Sequence, residues 1–167
     1  MRVLGIDPGT LNTGYGVIEG EGNRLRYIVS GVIKTRSADP LSARLKVIYD
    51  GLEEVLRLHQ PSSVGIESIF HAQNVQSALK LGHARGVAML AVVNQGLTLA
   101  EYLPMEVKKS VCSYGHADKE QVQKTVELLL RFKSEDSYDA TDALAVAICH
   151  FYSHRTNSRL NVQEGRR

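Results

Sequence analysis

The chain has 167 residues, 43% hydrophobic and 23% charged, with a formal net charge of +2. That is enough for one domain with a real core. No apolar run reaches the roughly eighteen residues of a membrane span, and the start Met1-Arg2-Val3-Leu4-Gly5-Ile6-Asp7 lacks a signal peptide's apolar core and cleavage site. The mild positive charge permits a nucleic-acid partner without establishing one.

The first third reads as a three-stranded antiparallel meander. Strands are expected over 2–7, 15–19 and 25–33, separated by the turn Pro8-Gly9-Thr10-Leu11-Asn12-Thr13-Gly14 and the hairpin turn Gly20-Glu21-Gly22-Asn23. Asp39 as cap and Pro40 at the first turn open a helix that stops before Pro61. Its apolar stripe is Leu41, Leu45, Ile48, Leu52, Val55 and Leu56. A fourth strand over 64–67 follows a helical crossover and so should lie parallel to its sheet partner.

A long helix is expected over 75–94, with Ala78, Gly82 and Gly86 on one face. Glycine inside a helix costs roughly 1 kcal/mol relative to alanine, so this stripe suggests close approach of another element, a second subunit among the options. A fifth strand (97–103), a short helix (105–112), a loop (113–118) and a helix (119–130) capped by Asp118 follow. After a polar loop over 131–137, the last helix runs over 139–154 with core residues Leu144, Ala147, Ile148 and Phe151. Residues 1–154 form a single α/β domain, and the polar tail 155–167 is expected to be disordered.

The chemistry concentrates in four carboxylates. Asp7 ends the run Val3-Leu4-Gly5-Ile6, and Glu67 ends Val64-Gly65-Ile66. A carboxylate closing a buried strand is costly unless it is exposed, hydrogen-bonded or bound to a cation. Asp139 and Asp142 share a helical face. Capping and dipole compensation explain Asp139 comfortably and Asp142 less well, because Ala143-Leu144-Ala145 follows it. If the strands are neighbours and the helix packs on their ends, the four converge into a cluster suited to Mg²⁺.

Lys108, Lys109 and Lys119 flank the loop Tyr114-Gly115-His116 and are candidates for phosphate contacts, although Lys109 reads better as solvated. Phe70 reads equally as a base-stacking aromatic and as a core residue. His83 and Arg85 read equally as interface or DNA contacts and as solvated surface. His150 and His154 have metal-pair spacing but no third ligand nearby, so a structural role is favoured. Cys112 and Cys149 read as reduced core residues.

Together these stretches resemble the RuvC family of crossover-junction endodeoxyribonucleases. The resemblance is carried by Gly5-Ile6-Asp7-Pro8-Gly9, Glu67 with Phe70, the run Asn74 to Gly86, Val107-Lys108-Lys109, Gly115-His116-Ala117-Asp118-Lys119 and Asp139-Ala140-Thr141-Asp142-Ala143-Leu144-Ala145. It implies an RNase H-like fold, a five-stranded mixed sheet flanked by helices. It also implies a cytoplasmic homodimer that cuts four-way DNA junctions by paired nicks, leaving 5′-phosphates, and works with the RuvA–RuvB branch-migration complex. Asp7, Glu67, Asp139 and Asp142 would hold two Mg²⁺ per subunit, with Mn²⁺ able to substitute. Lys108 and Lys119 would lie near the scissile phosphate and Phe70 at the crossover. Ile69 stands where the family often has a second aromatic or bulky residue.

Two other classes compete. An actin-like ATPase or sugar kinase also opens with an Asp-x-Gly-Thr hairpin, but it needs a second large domain for which 167 residues leave no room. A non-catalytic junction-binding module would have no use for the complete carboxylate set.

Overall fold

The computed structural model describes residues 1–68, 74–133 and 138–164, with side chains described as far as residue 156. Phe70 and Ile69 therefore lie outside the described residues. Strands β1 (Arg2–Asp7), β2 (Asn12–Glu21) and β3 (Arg24–Lys34) form the expected antiparallel meander. Helix α1 (Leu41–His59) crosses over to β4 (Ser63–Glu67), which pairs parallel with β1. Helix α2 (Val75–Asn94) leads to β5 (Leu99–Tyr102), parallel to β4. Helices α3 (Pro104–Cys112), α4 (Lys119–Leu130) and α5 (Tyr138–Glu164) complete the chain. The sheet order is β3-β2-β1-β4-β5. This is the five-stranded mixed sheet flanked by helices of an RNase H-like fold.

Side chains alternate across a strand, and the alternation divides the core. Leu4, Ile6, Val17, Val64 and Ile66 meet α1 and α2 on one face. Val3 and Ile18 meet α3, α4 and α5 on the other. The second face is lined with glycine where α5 crosses it. A Cβ on Gly5 would stand 2.1 Å from the Ala143 carbonyl oxygen, and one on Gly14 would stand 2.0 Å from that of Asp139. On α5, Ala140, Ala143 and Ala147 are fully buried. Small residues on both surfaces let helix backbone lie directly on sheet backbone.

Three local expectations change. Asp39 does not cap α1; it accepts two bonds from the Arg36 guanidinium, at 3.0 and 2.9 Å, and the helix starts after Pro40. Strand β2 is longer than expected, because the turn residues from Asn12 pair with β3 as far as Lys34. Helix α5 continues past His154 to Glu164, and the first helix-breaking residue after His154 is Gly165. Asp118 caps α4 as expected, accepting from the Gln121 amide at 2.8 Å. Cys112 and Cys149 are free thiols, the latter buried.

Candidate active site

Asp7 and Glu67 project from the same sheet face. In the parallel register Gly5 pairs with Gly65 and Ile6 with Ile66, so the two carboxylates end neighbouring strands at the same level. Helix α5 runs antiparallel to β1, with Asp139 beside Gly14 and Ala143 beside Gly5. Because Gly14 is the register partner of Asp7, the first turn of α5 arrives at the carboxyl end of β1. Asp139 lies in that turn and Asp142 just beyond it.

The turn that follows Asp7 is pinned at several points. The Thr13 hydroxyl, fully buried, donates to the Gly9 carbonyl at 2.7 Å. The Thr35 hydroxyl donates to the Thr10 carbonyl at 2.6 Å, and the Arg44 guanidinium donates to the same oxygen at 2.5 and 3.1 Å. Neither Thr35 nor Arg44 stood out in the sequence. A threonine just past a strand and an arginine on an amphipathic helix carry no local mark of this role.

The electrostatics are those of crowded, part-buried acids. Burial raises the Asp7 carboxyl well above its ordinary range, and the nearby charges of Glu67, Asp142 and Asp139 raise it further. Asp7 and Glu67 share a hydrogen bond, which opposes the upward effect of burial on Glu67. Burial also raises Asp142, opposed by Lys119, whose ammonium donates to Asp142 Oδ2 at 3.2 Å. That contact raises the Lys119 ammonium in return. Lys108 lies close enough to favour the charged forms of Glu67 and Asp142. Repulsion among carboxylates, relieved only partly by two lysines, is what a cation would remove.

The donor set fits a hard cation, which takes carboxylate and water oxygens. Among the described residues no three His, Cys, Asp or Glu side chains are gathered as closely as bound ligands would be. Asp7 and Glu67 partner each other and Asp142 partners Lys119, contacts that a cation would replace.

A cavity of about 570 Å³ opens beside the acids, lined by Asp7, Glu67 and Lys108 together with Leu81, Leu103, Pro104, Met105 and His116. This apolar lining has no counterpart among the sequence-based site residues, although Leu103-Pro104-Met105 at a helix start was available as a signal. Arg85 does not line this cavity. It forms an ion pair with Glu101 on β5, and its side chain is only 22% exposed, so it is engaged within the fold. Lys109 is exposed, as expected. His150 is buried and bonded to Ser63 and, through Nδ1, to the Tyr102 hydroxyl at 2.8 Å, which is the structural role favoured for it. Gly82 and Gly86 face open space, and Leu79, Leu90 and Val93 beside them are more than half exposed.

The chain matches the family model for crossover junction endodeoxyribonuclease RuvC over residues 3–150. It is 56% identical to the crossover junction endodeoxyribonuclease RuvC of Syntrophotalea carbinolica, over 96% of this chain and 99% of that one. It is 52% identical to the protein of the same name from Geobacter sulfurreducens, over 90% and 92%. Among solved structures, Thermus thermophilus RuvC in complex with a Holliday junction substrate matches with a TM-score of 0.89 and 33% identity, over 94% of this chain and 96% of that one. The yeast mitochondrial Holliday junction resolvase Ydc2, at 14% identity and a TM-score of 0.64 over 88% and 76%, shares the fold. Among the described residues no helix is long and apolar enough to cross a membrane.

Proposed function

The chain belongs to the crossover junction endodeoxyribonuclease RuvC family, and from that premise we propose that it resolves four-way DNA junctions by hydrolysing phosphodiester bonds at the Asp7 cluster. Residues 1–154 act as one nuclease domain. The observation that carries this reading is the convergence of Asp7, Glu67 and the first turns of α5, with Asp7 raised well above the ordinary carboxylate range by burial and by its acidic neighbours.

Asp7, Glu67, Asp139 and Asp142 would hold Mg²⁺, two ions per subunit with Mn²⁺ as substitute, which when bound supplies an activated water and stabilises charge on the leaving 3′ oxygen. The chain's own residues place the substrate. Lys108, on the cavity wall, attracts a phosphate towards the acids. Lys119 is 65% exposed and anchored on Asp142, so its ammonium stands between the cluster and an arriving DNA backbone. Cleavage at the 3′ oxygen leaves a 5′-phosphate.

Paired nicks in strands of like polarity follow from a two-fold dimer, which presents one site to each strand of a two-fold junction. The stripe of Ala78, Gly82 and Gly86, its glycines open to solvent and flanked by exposed Leu79 and Leu90, is the surface proposed for that contact. The protein would work in the cytoplasm on junctions delivered by the RuvA–RuvB complex.

The test is nicking of a synthetic four-way junction in Mg²⁺, with EDTA and linear duplex as controls and the nick ends mapped. Nicks near the crossover, dependent on the metal and bearing 5′-phosphates, are expected. Junction binding without nicking in any divalent metal would instead mean a non-catalytic binding module.

A further inference from the structure

The cavity beside the carboxylates is lined by two unlike kinds of residue. Asp7, Glu67 and Lys108 suit a phosphate and its counter-ions. Leu81, Leu103, Pro104 and Met105 offer it nothing. Helix α3 does not use Leu103 or Met105 for its own packing, because its buried residues are Val107 and Val111. Leu103 and Met105 are instead 38% and 54% exposed. The loop after α3 folds back on this surface, and a Cβ on Gly115 would stand only 2.9 Å from Met105 Cγ. That approach sets His116 on the cavity wall, with its ring 5.7 Å from the Tyr114 ring.

The only extensive apolar surfaces on DNA are the faces of its bases and its sugars. A nucleoside joined to a phosphate held at Asp7 and Lys108 has the apolar residues of the same cavity within reach. Resting on the nuclease reading above, we propose that these apolar residues seat the nucleoside next to the scissile phosphate, with Met105 and Leu103 against the base face and His116 at the base edge, so that they set which bases can flank a nick. A thioether is polarizable and packs well against aromatic rings. An imidazole offers both a donor and an acceptor to a base edge. The volume, about 570 Å³, lies in the roughly 300–1,000 Å³ range of small-molecule sites.

The experiment measures cleavage rates in Mg²⁺ on four-way junctions that differ only in the base pairs on each side of the nick. Wild type is compared with Met105→Ala, Met105→Leu and His116→Ala. Wild type should prefer some flanking bases. Met105→Ala should reduce that preference about tenfold, since it removes most of a side chain from an apolar contact. Met105→Leu, similar in volume, should keep it. His116→Ala should alter the preference at a flanking base. Met105 and His116 are exposed, so thermal unfolding of all three variants should match wild type. A wild type without preference, or one whose preference survives both alanine substitutions, overturns the inference and leaves the nuclease reading standing. A uniform rate loss across all sequences also overturns it. A wild type that nicks no junction in Mg²⁺ removes both.

Discussion

Gly14→Ala should disable cleavage without touching a charged residue. The missing Cβ at this position would stand 2.0 Å from the Asp139 carbonyl oxygen. A carbon and a carbonyl oxygen come no closer than roughly 3.3 Å, so the methyl group requires a separation of about 1.3 Å. Strand β2 is held on both sides by β1 and β3, so the movement falls mainly on the first turn of α5. That turn carries Asp139, and Asp142 follows it. A misplacement of about 1 Å can cost on the order of 10²-fold in rate, whereas overpacking typically costs roughly 1–3 kcal/mol of stability. The assay pairs the single-turnover rate on a four-way junction with the urea midpoint. We expect a rate loss near a hundredfold in a protein that still folds and binds junctions. A folded Gly14→Ala protein that cleaves within threefold of wild type would refute the link between the β2–α5 approach and the acidic site.

Four further outcomes are expected. Asp7→Asn should abolish nicking, leave junction binding largely intact and raise the melting temperature of the metal-free protein, because it removes a carboxylate that burial and its neighbours disfavour; it should also lose the metal-induced stabilisation of wild type, about 2.7 kcal/mol at a hundred times the dissociation constant, and wild-type nicking by this variant would remove Asp7 from the site. Lys119→Ala should slow cleavage and lower the magnitude of the log–log salt slope for junction binding by about 1, while an unchanged rate and slope would make Lys119 ordinary solvated surface. Gly82→Leu meets nothing in the isolated chain and should stabilise α2 by up to about 1 kcal/mol while weakening self-association; sedimentation showing an undisturbed dimer would move the interface elsewhere. His150 has its pKa lowered from 6.5 to about 4 by burial and by His154, so the unfolded chain binds more protons between those values and this group's contribution to stability falls as pH drops through that window, by about 2 kcal/mol at pH 5; His150→Gln should lack that part of the slope, and equal slopes in urea titrations at pH 7 and 5 would count against the assignment.

The sequence by itself determined the elements and the acids. A short apolar run bounded by turn residues marks strands such as Val3–Ile6, and helical spacing marks the stripe from Ile48 to Leu56, because both patterns are local properties of the chain. A carboxylate at the end of an apolar run is equally local, so Asp7 and Glu67 stood out before any fold was known. Only the tertiary structure decided what those acids meet. The parallel register of β1 and β4 sets Asp7 beside Glu67, and the glycines under α5 bring Asp139 to the same end. Both depend on contacts between residues far apart in the chain, and a sequence pattern carries no distance. For the same reason Arg44 and His116 were legible only as surface or loop residues and Met105 only as a helix start, and Arg85 gave no sign of its engagement with Glu101. A side chain's partner across the fold is fixed by how the layers stack, which in this protein is set by glycine and alanine permitting backbone to touch backbone.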